Sequence, residues 1–126
     1  MFSHIMIGAN DIEASKRFYD ATLGALGQKP GNIDPTGRCF YVTKEGVFAL
    51  TKPINDEPAG HGNGGTIGFA AASAEEADKW HAAGLANGGT ACEEPPGVRD
   101  GGGGQLYLAY LLDPAGIKVC ALHRMG

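Results

Sequence analysis

The strongest constraint on this fold is that the sequence repeats itself at a spacing of 62 residues. At that shift Ile5 meets Ile67, Ile7 meets Phe69, Ala9 meets Ala71, Asp11 meets Ser73, Glu13 meets Glu75, Phe18 meets Trp80, Ala21 meets Ala83 and Gly27 meets Gly89. Any one match is cheap, because two amphipathic helices align somewhere. A strand, a helix cap, an aromatic anchor and a glycine stop in one shared register mark a duplicated unit.

The unit can be read from its first copy. In Phe2–Gly8, alternation puts Ile5 and Ile7 on one face of a strand and His4 and Met6 on the other. Asn10 or Asp11 is placed to cap a helix over about 11–24, with Ile12, Phe18 and Leu23 in its apolar stripe and Gly24 and Gly27 at its end. Residues 28–37 are turn-rich, with room for one short strand, and Cys39–Thr43 and Val47–Thr51 flank Lys44-Glu45-Gly46 as a hairpin. The second copy starts with a strand over 66–70. Ser73 caps a helix over about 73–87 that carries Ala77, Trp80 and Leu85. One short strand is expected within 90–104, and Gln105–Leu112 with Ile117–Leu122 flank Asp113-Pro114-Ala115-Gly116 as a closing hairpin. The predicted order is β-α-β-β-β twice. Twenty-one glycines, where roughly nine are usual at this length, fit short strands joined by tight turns.

Composition narrows the function. Ten Lys and Arg against fourteen Asp and Glu give a charge of −4 with no basic block, which argues against a nucleic-acid partner. No apolar run approaches the roughly 20 residues needed to span a bilayer, and no basic-then-apolar leader opens the chain, so no membrane role and a cytoplasmic location are expected. Cys39, Cys92 and Cys120 are odd in number and contain no CxxC pair, a pattern unlike a disulfide framework or a structural zinc site. Ser73 is better explained as a cap than as a nucleophile. The glycine run 101–104 beside Arg99 leads into a strand, whereas a phosphate loop leads into a helix.

Three segments, HIMIGANDIEASKRFYDATLGALG, TIGFAAASAEEADKWHAAGLANGG and YLAYLLDPAGIKVCAL, resemble the vicinal oxygen chelate superfamily, which includes glyoxalases, bleomycin-resistance proteins, fosfomycin-resistance enzymes and extradiol dioxygenases. The most specific pieces are Asp-Pro-x-Gly at 113–116, Phe18-Tyr19 and Leu23-Gly24. The resemblance spans essentially the whole chain. It implies one α+β domain over residues 1–126, built from two βαβββ modules (about 1–57 and 63–126) that form a curved mixed sheet around a cleft, commonly completed by a homodimer.

In metal-dependent relatives, four strand positions hold a divalent ion, and the resemblance carries them to His4, Ala49, Thr66 and Cys120. Only His4 keeps a usual ligand identity. His61, His81 and His123 lie off those positions. No cofactor is therefore expected, with a divalent Zn, Ni, Mn or Fe as the alternative. Strand alternation from the same positions predicts a cleft lined by His4, Met6, Thr66, Lys118 and Cys120, joined by Phe48 or Ala49 and by Tyr107 or Tyr110 according to register. Such a lining suits a small organic molecule with an apolar body and one polar or anionic group, Lys118 supplying the charge. The leading expectation is a small-molecule-binding protein. The alternatives are a glyoxalase-like lyase or isomerase, using His4 as catalytic base or a metal held by His4 and Cys120, and a non-catalytic interaction module.

Overall fold

The computed structural model describes residues 1–60 and 62–126. The first strand, β1 (His4–Gly8), runs into a cap. Asp11 is extended, with φ −132° and ψ 104°, and its carboxylate accepts the Ala14 N–H at 3.2 Å to open helix α1 (Ile12–Ala25). The helix ends because Gly27 adopts φ +90°, a region that Cβ-bearing residues avoid. The turned chain lets Gln28 N–H reach the Leu23 carbonyl at 2.9 Å and Gly27 N–H reach that of Gly24 at 3.0 Å. Then follow β2 (Asn32–Ile33), β3 (Cys39–Val42) and β4 (Val47–Thr51). The second cycle is β5 (Ile67–Ala70), α2 (Ala74–Ala86), β6 (Thr90–Ala91), β7 (Gly97–Gly101), β8 (Gly104–Leu112) and β9 (Lys118–Arg124).

Two details depart from the expected duplication. Ser73 caps α2 through the Glu76 N–H, in step with Asp11 at the 62-residue shift, but α2 has 13 residues where α1 has 14. The positive-φ glycine that ends α2 is consequently Gly88, at +95°, so Gly88 rather than Gly89 is the counterpart of Gly27. The second module also carries two strands in 90–104 instead of one. The tight glycine turn after Gly101 folds β7 back along β8, pairing Val98 with Tyr107 and Arg99 with Leu106.

The strands form two mixed sheets, β1-β4-β3-β2 and β5-β9-β8-β6, with β7 also paired to β8. In the first, β1 runs parallel to β4 with Ile5 opposite Phe48 and Ile7 opposite Leu50; in the second, β5 runs parallel to β9 with Ile67 opposite Val119 and Phe69 opposite Ala121. These residues face the helices and join the core. The architecture is the expected α+β pair of modules. Phe18 and Trp80 are both fully buried, and α1 packs on α2 at Gly84, where a Cβ would lie 2.2 Å from Leu111 Cδ1 and 3.1 Å from Phe18 and Thr22. Rings also cross between modules, Phe48 meeting Phe69 edge-on at 5.3 Å.

The signature residues of the closing hairpin hold the modules together. Buried Asp113 accepts the Ala115 and Ile117 N–H groups on Oδ1, at 2.8 and 3.0 Å, while the Tyr19 hydroxyl donates to its Oδ2 at 2.6 Å. Burial raises the Asp113 carboxyl above its ordinary range and raises the Tyr19 phenol well above its own, so the phenol stays a proton donor. On the loop between modules, Asn10 grips both backbone groups of Ala59, accepting its N–H at 2.6 Å. Among the described residues, no helix is long and apolar enough to cross a membrane.

Candidate functional site

Strand register decides which side chains share a face. On the helix-free face lie His4 and Met6, opposite Val47 and Ala49 across β1 and β4; in the second sheet lie Cys120, opposite Gly68 and Tyr110, and Lys118, opposite Leu112. Of the two aromatic alternatives, Tyr110 is on this face. Tyr107 pairs with His123 on the helix side, where its hydroxyl donates to Asp78 of α2 at 2.6 Å, so the expectation that Tyr107 joins the cleft is corrected. Phe48 is likewise in the core and Ala49 on the helix-free face. Lys118 is not a free charge, because it pairs with Glu93 and sits 5.0 Å over the Tyr110 ring.

A partly open cavity lies elsewhere. A cavity of about 300 Å³ opens between the modules, where the start of β1, the end of α1 and the outer edge of β5 meet. Its body is apolar, from Ile5, Leu26, Phe48, Ile67 and Phe69, and Ser3, His4, Gln28, Thr43 and Glu45 supply its polar lining. Of the residues expected from alternation, His4 and Phe48 line it; Met6, Ala49, Thr66, Tyr107, Tyr110, Lys118 and Cys120 do not. Parity settles the face of a sheet but not where a void closes. Here the void lies past the end of α1 at Ala25, and the Phe48–Phe69 ring pair joins the modules beside it.

His4 is exposed at this cavity, and its Nδ1 lies 2.8 Å from Ser3 Oγ. The hairpin tip reaches the same place because β1 pairs with β4 starting at His4 and Val47. Gly46, at φ +151°, comes so close to Ser3 that a Cβ there would sit 3.3 Å from the Ser3 carbonyl oxygen. Ser3, Thr43 and Glu45 were not anticipated as site residues. The hairpin itself was visible in the sequence, but not the β1–β4 register that carries its tip to the N-terminal strand.

The donor set does not fit a conventional divalent ion. Ala49 has no donor atom, and Thr66 offers a hydroxyl where such sites use imidazole or carboxylate. Cys120 is 5% exposed, and burial pushes its thiol up to about 11, so it is protonated at neutral pH. His81, on α2, has its pKa lowered by burial, and His123, inside β9 rather than beyond it, has Nδ1 3.2 Å from the Ala71 carbonyl; neither is on the helix-free face. His61 lies outside the described residues. Among the described residues, no three His, Cys, Asp or Glu side chains come together as a metal cluster.

A paired-module fold with an Asp-Pro-x-Gly hairpin matches the family model described as the glyoxalase/bleomycin resistance protein/dioxygenase superfamily, over residues 1–121. The chain belongs to that superfamily. Within it, the chain is similar to the crystal structure of a glyoxalase/bleomycin resistance protein from Albidiferax ferrireducens T118, with 63% identity and a TM-score of 0.95 over 98% of this chain and 99% of that one. A glyoxalase/bleomycin resistance protein/dioxygenase family enzyme from Burkholderia phytofirmans PsJN shares the fold at 18% identity and TM-score 0.71, covering 98% of each chain. Lactoylglutathione lyase from Agrobacterium tumefaciens shares it at 21% identity and TM-score 0.67, covering 98% of this chain and 92% of that one. At such identities the likeness speaks for the fold alone. No curated protein matches the chain.

Proposed function

We propose that this superfamily member binds a small organic molecule in the cavity between its modules, without the conventional divalent ion, as a homodimer. The observation that carries the reading is the cavity itself. A volume of about 300 Å³ with an apolar body and a few polar groups is the usual composition of a small-molecule site. His4 is the group best placed to orient a ligand, since it combines exposure with a partner, Ser3, on one ring nitrogen. The homodimer rests on the exposed helix-free face of the first sheet, where Met6 is 38% and Val42 75% exposed.

The test is a titration of the labelled protein with naphthylethanol, a neutral aromatic probe, followed by amide chemical shifts. Changes confined to Ile5, Val47, Phe69 and Ala70 support the cavity, and changes centred on Tyr110 and Cys120 overturn it in favour of the helix-free face. Metal analysis of protein purified without chelator should find no stoichiometric Zn, Ni, Mn or Fe. Light scattering that finds only the mass of one chain over a wide concentration range would remove the dimer.

A second reading, a lyase or isomerase with His4 as general base, draws on the same exposed imidazole beside an apolar cavity. Turnover of a small α-hydroxy ketone, whose C–H beside the carbonyl a base can remove, lost in His4→Ala, would favour it over simple binding.

A further inference from the structure

We infer that the cavity selects an aromatic ligand carrying a positive charge, rather than the anion that the presence of Lys118 had suggested; this rests on the cavity being the binding site. Four rings contribute to its wall, those of Phe2, Tyr41, Phe48 and Phe69. The Tyr41 hydroxyl is committed elsewhere, donating to Asp20 Oδ1 at 2.8 Å, so its contribution is mainly the ring. Polar groups on the hairpin side are also largely spent within the hairpin: Thr43 Oγ1 donates to the Gly46 carbonyl at 2.9 Å and accepts the Glu45 N–H at 3.2 Å.

The charge that remains is negative. Among the described residues, Glu45 is the one carboxylate in the lining, and no Lys or Arg side chain lines the cavity. Its carboxylate forms no ion pair among the described residues, whose two salt bridges are Lys16–Asp20 and Lys118–Glu93. Lys118, the cation foreseen as an anion anchor, lies on the other face of the second sheet and is already neutralised by Glu93. An unpaired carboxylate beside aromatic rings favours an ammonium twice over, through direct attraction and through the negative faces of the rings, and it disfavours a carboxylate or phosphate. The overall charge of −4 acts in the same direction at long range. The ligand class is therefore a compact aromatic amine, with its ring against the Phe48–Phe69 pair and its ammonium toward Glu45.

Three probes of one shape separate this inference from the reading beneath it: naphthylethylamine, naphthylethanol and naphthylpropionate, titrated at neutral pH and low salt by calorimetry and amide shifts. The amine is expected to bind about tenfold more tightly than the propionate, with the alcohol between them. Glu45→Gln, a change on an exposed hairpin tip, should bring the affinities of the three probes together, and added salt should shrink the amine's advantage. Ala70→Phe, which adds a ring to the cavity wall, should abolish all three. If the alcohol binds but the amine has no advantage, or keeps it in Glu45→Gln, the charge inference falls and the cavity reading stands. If none of the probes binds, or all bind Ala70→Phe unchanged, both fall.

Discussion

Two of the places where the modules meet are built in opposite ways. Where α1 crosses α2, the interface is filled: Phe18, Thr22, Trp80 and Leu111 are fully buried, and Gly84 is there because even a methyl group would collide with Leu111. At the other place, between the end of α1 and the edges of β1 and β5, the same chain leaves about 300 Å³ empty. Both contacts are lined mainly by apolar residues, so hydrophobicity does not distinguish them. The difference lies in reach. The helices run side by side through the first contact, whereas α1 has ended, through the turn at Gly27, before the second. A filled seam gives stability and an empty one gives room for a ligand, so substitutions at the two places should separate the two properties.

The largest effect should come from the filled seam. Trp80→Ala removes the largest fully buried side chain and is expected to cost about 3–5 kcal/mol, measured by denaturant unfolding. Gly84→Ala should cost about 1–3 kcal/mol by overpacking against Leu111 and Phe18. If Gly84→Ala proved neutral, the helices could move apart and the seam would not be tightly packed.

Tyr19→Phe leaves Asp113 Oδ2 without its phenol donor inside the core and should cost about 1–2 kcal/mol. Asp113 also predicts a pH signature. Its folded pKa is raised by burial, so its contribution to stability is fully present below the unfolded carboxylate value and is lost as pH rises through the folded one. Relative to wild type, Asp113→Asn should lack that decline, seen in unfolding curves from acid toward neutral pH. Asp20, whose pKa is lowered, has the opposite slope: its contribution fades as pH falls through its folded value. Burial opposes this shift, but the Lys16 ammonium, the Gly31 N–H and the Tyr41 hydroxyl outweigh it.

The smallest effect on stability belongs to the open seam. His4→Ala should change folding stability by less than about 0.5 kcal/mol, as an exposed side chain whose neighbours Ile5 and Ile7 carry the packing. The same change should weaken naphthylethanol by about 0.5–1.5 kcal/mol if the imidazole makes one hydrogen bond to it. A stability loss in His4→Ala comparable to that of Ile7→Ala, with binding untouched, would make His4 a packing residue and erase the contrast between the seams.

The local chemistry of this chain was legible without a structure. Asn10 or Asp11 and Ser73 marked the helix starts, Phe18 and Trp80 the anchors, and strict alternation in β1 and β9 placed His4, Met6 and Cys120 on one face and Ile5, Ile7 and Val119 on the other. These are properties of nearest neighbours and of fixed periods, 3.6 for a helix and 2 for a strand, so a linear sequence carries them. What only the tertiary structure decided depended on distances between segments far apart in the chain. Tyr107 turned to Asp78 instead of the cleft because the β8–β9 register set its parity, and Lys118 was taken by Glu93, 25 positions earlier. Glu45 came to the cavity beside Ser3 because β1 and β4 pair in parallel from His4 and Val47. The void itself is where two chain segments fail to meet, and no residue pattern marks such a gap, since it is set by where a helix stops and how closely two modules approach.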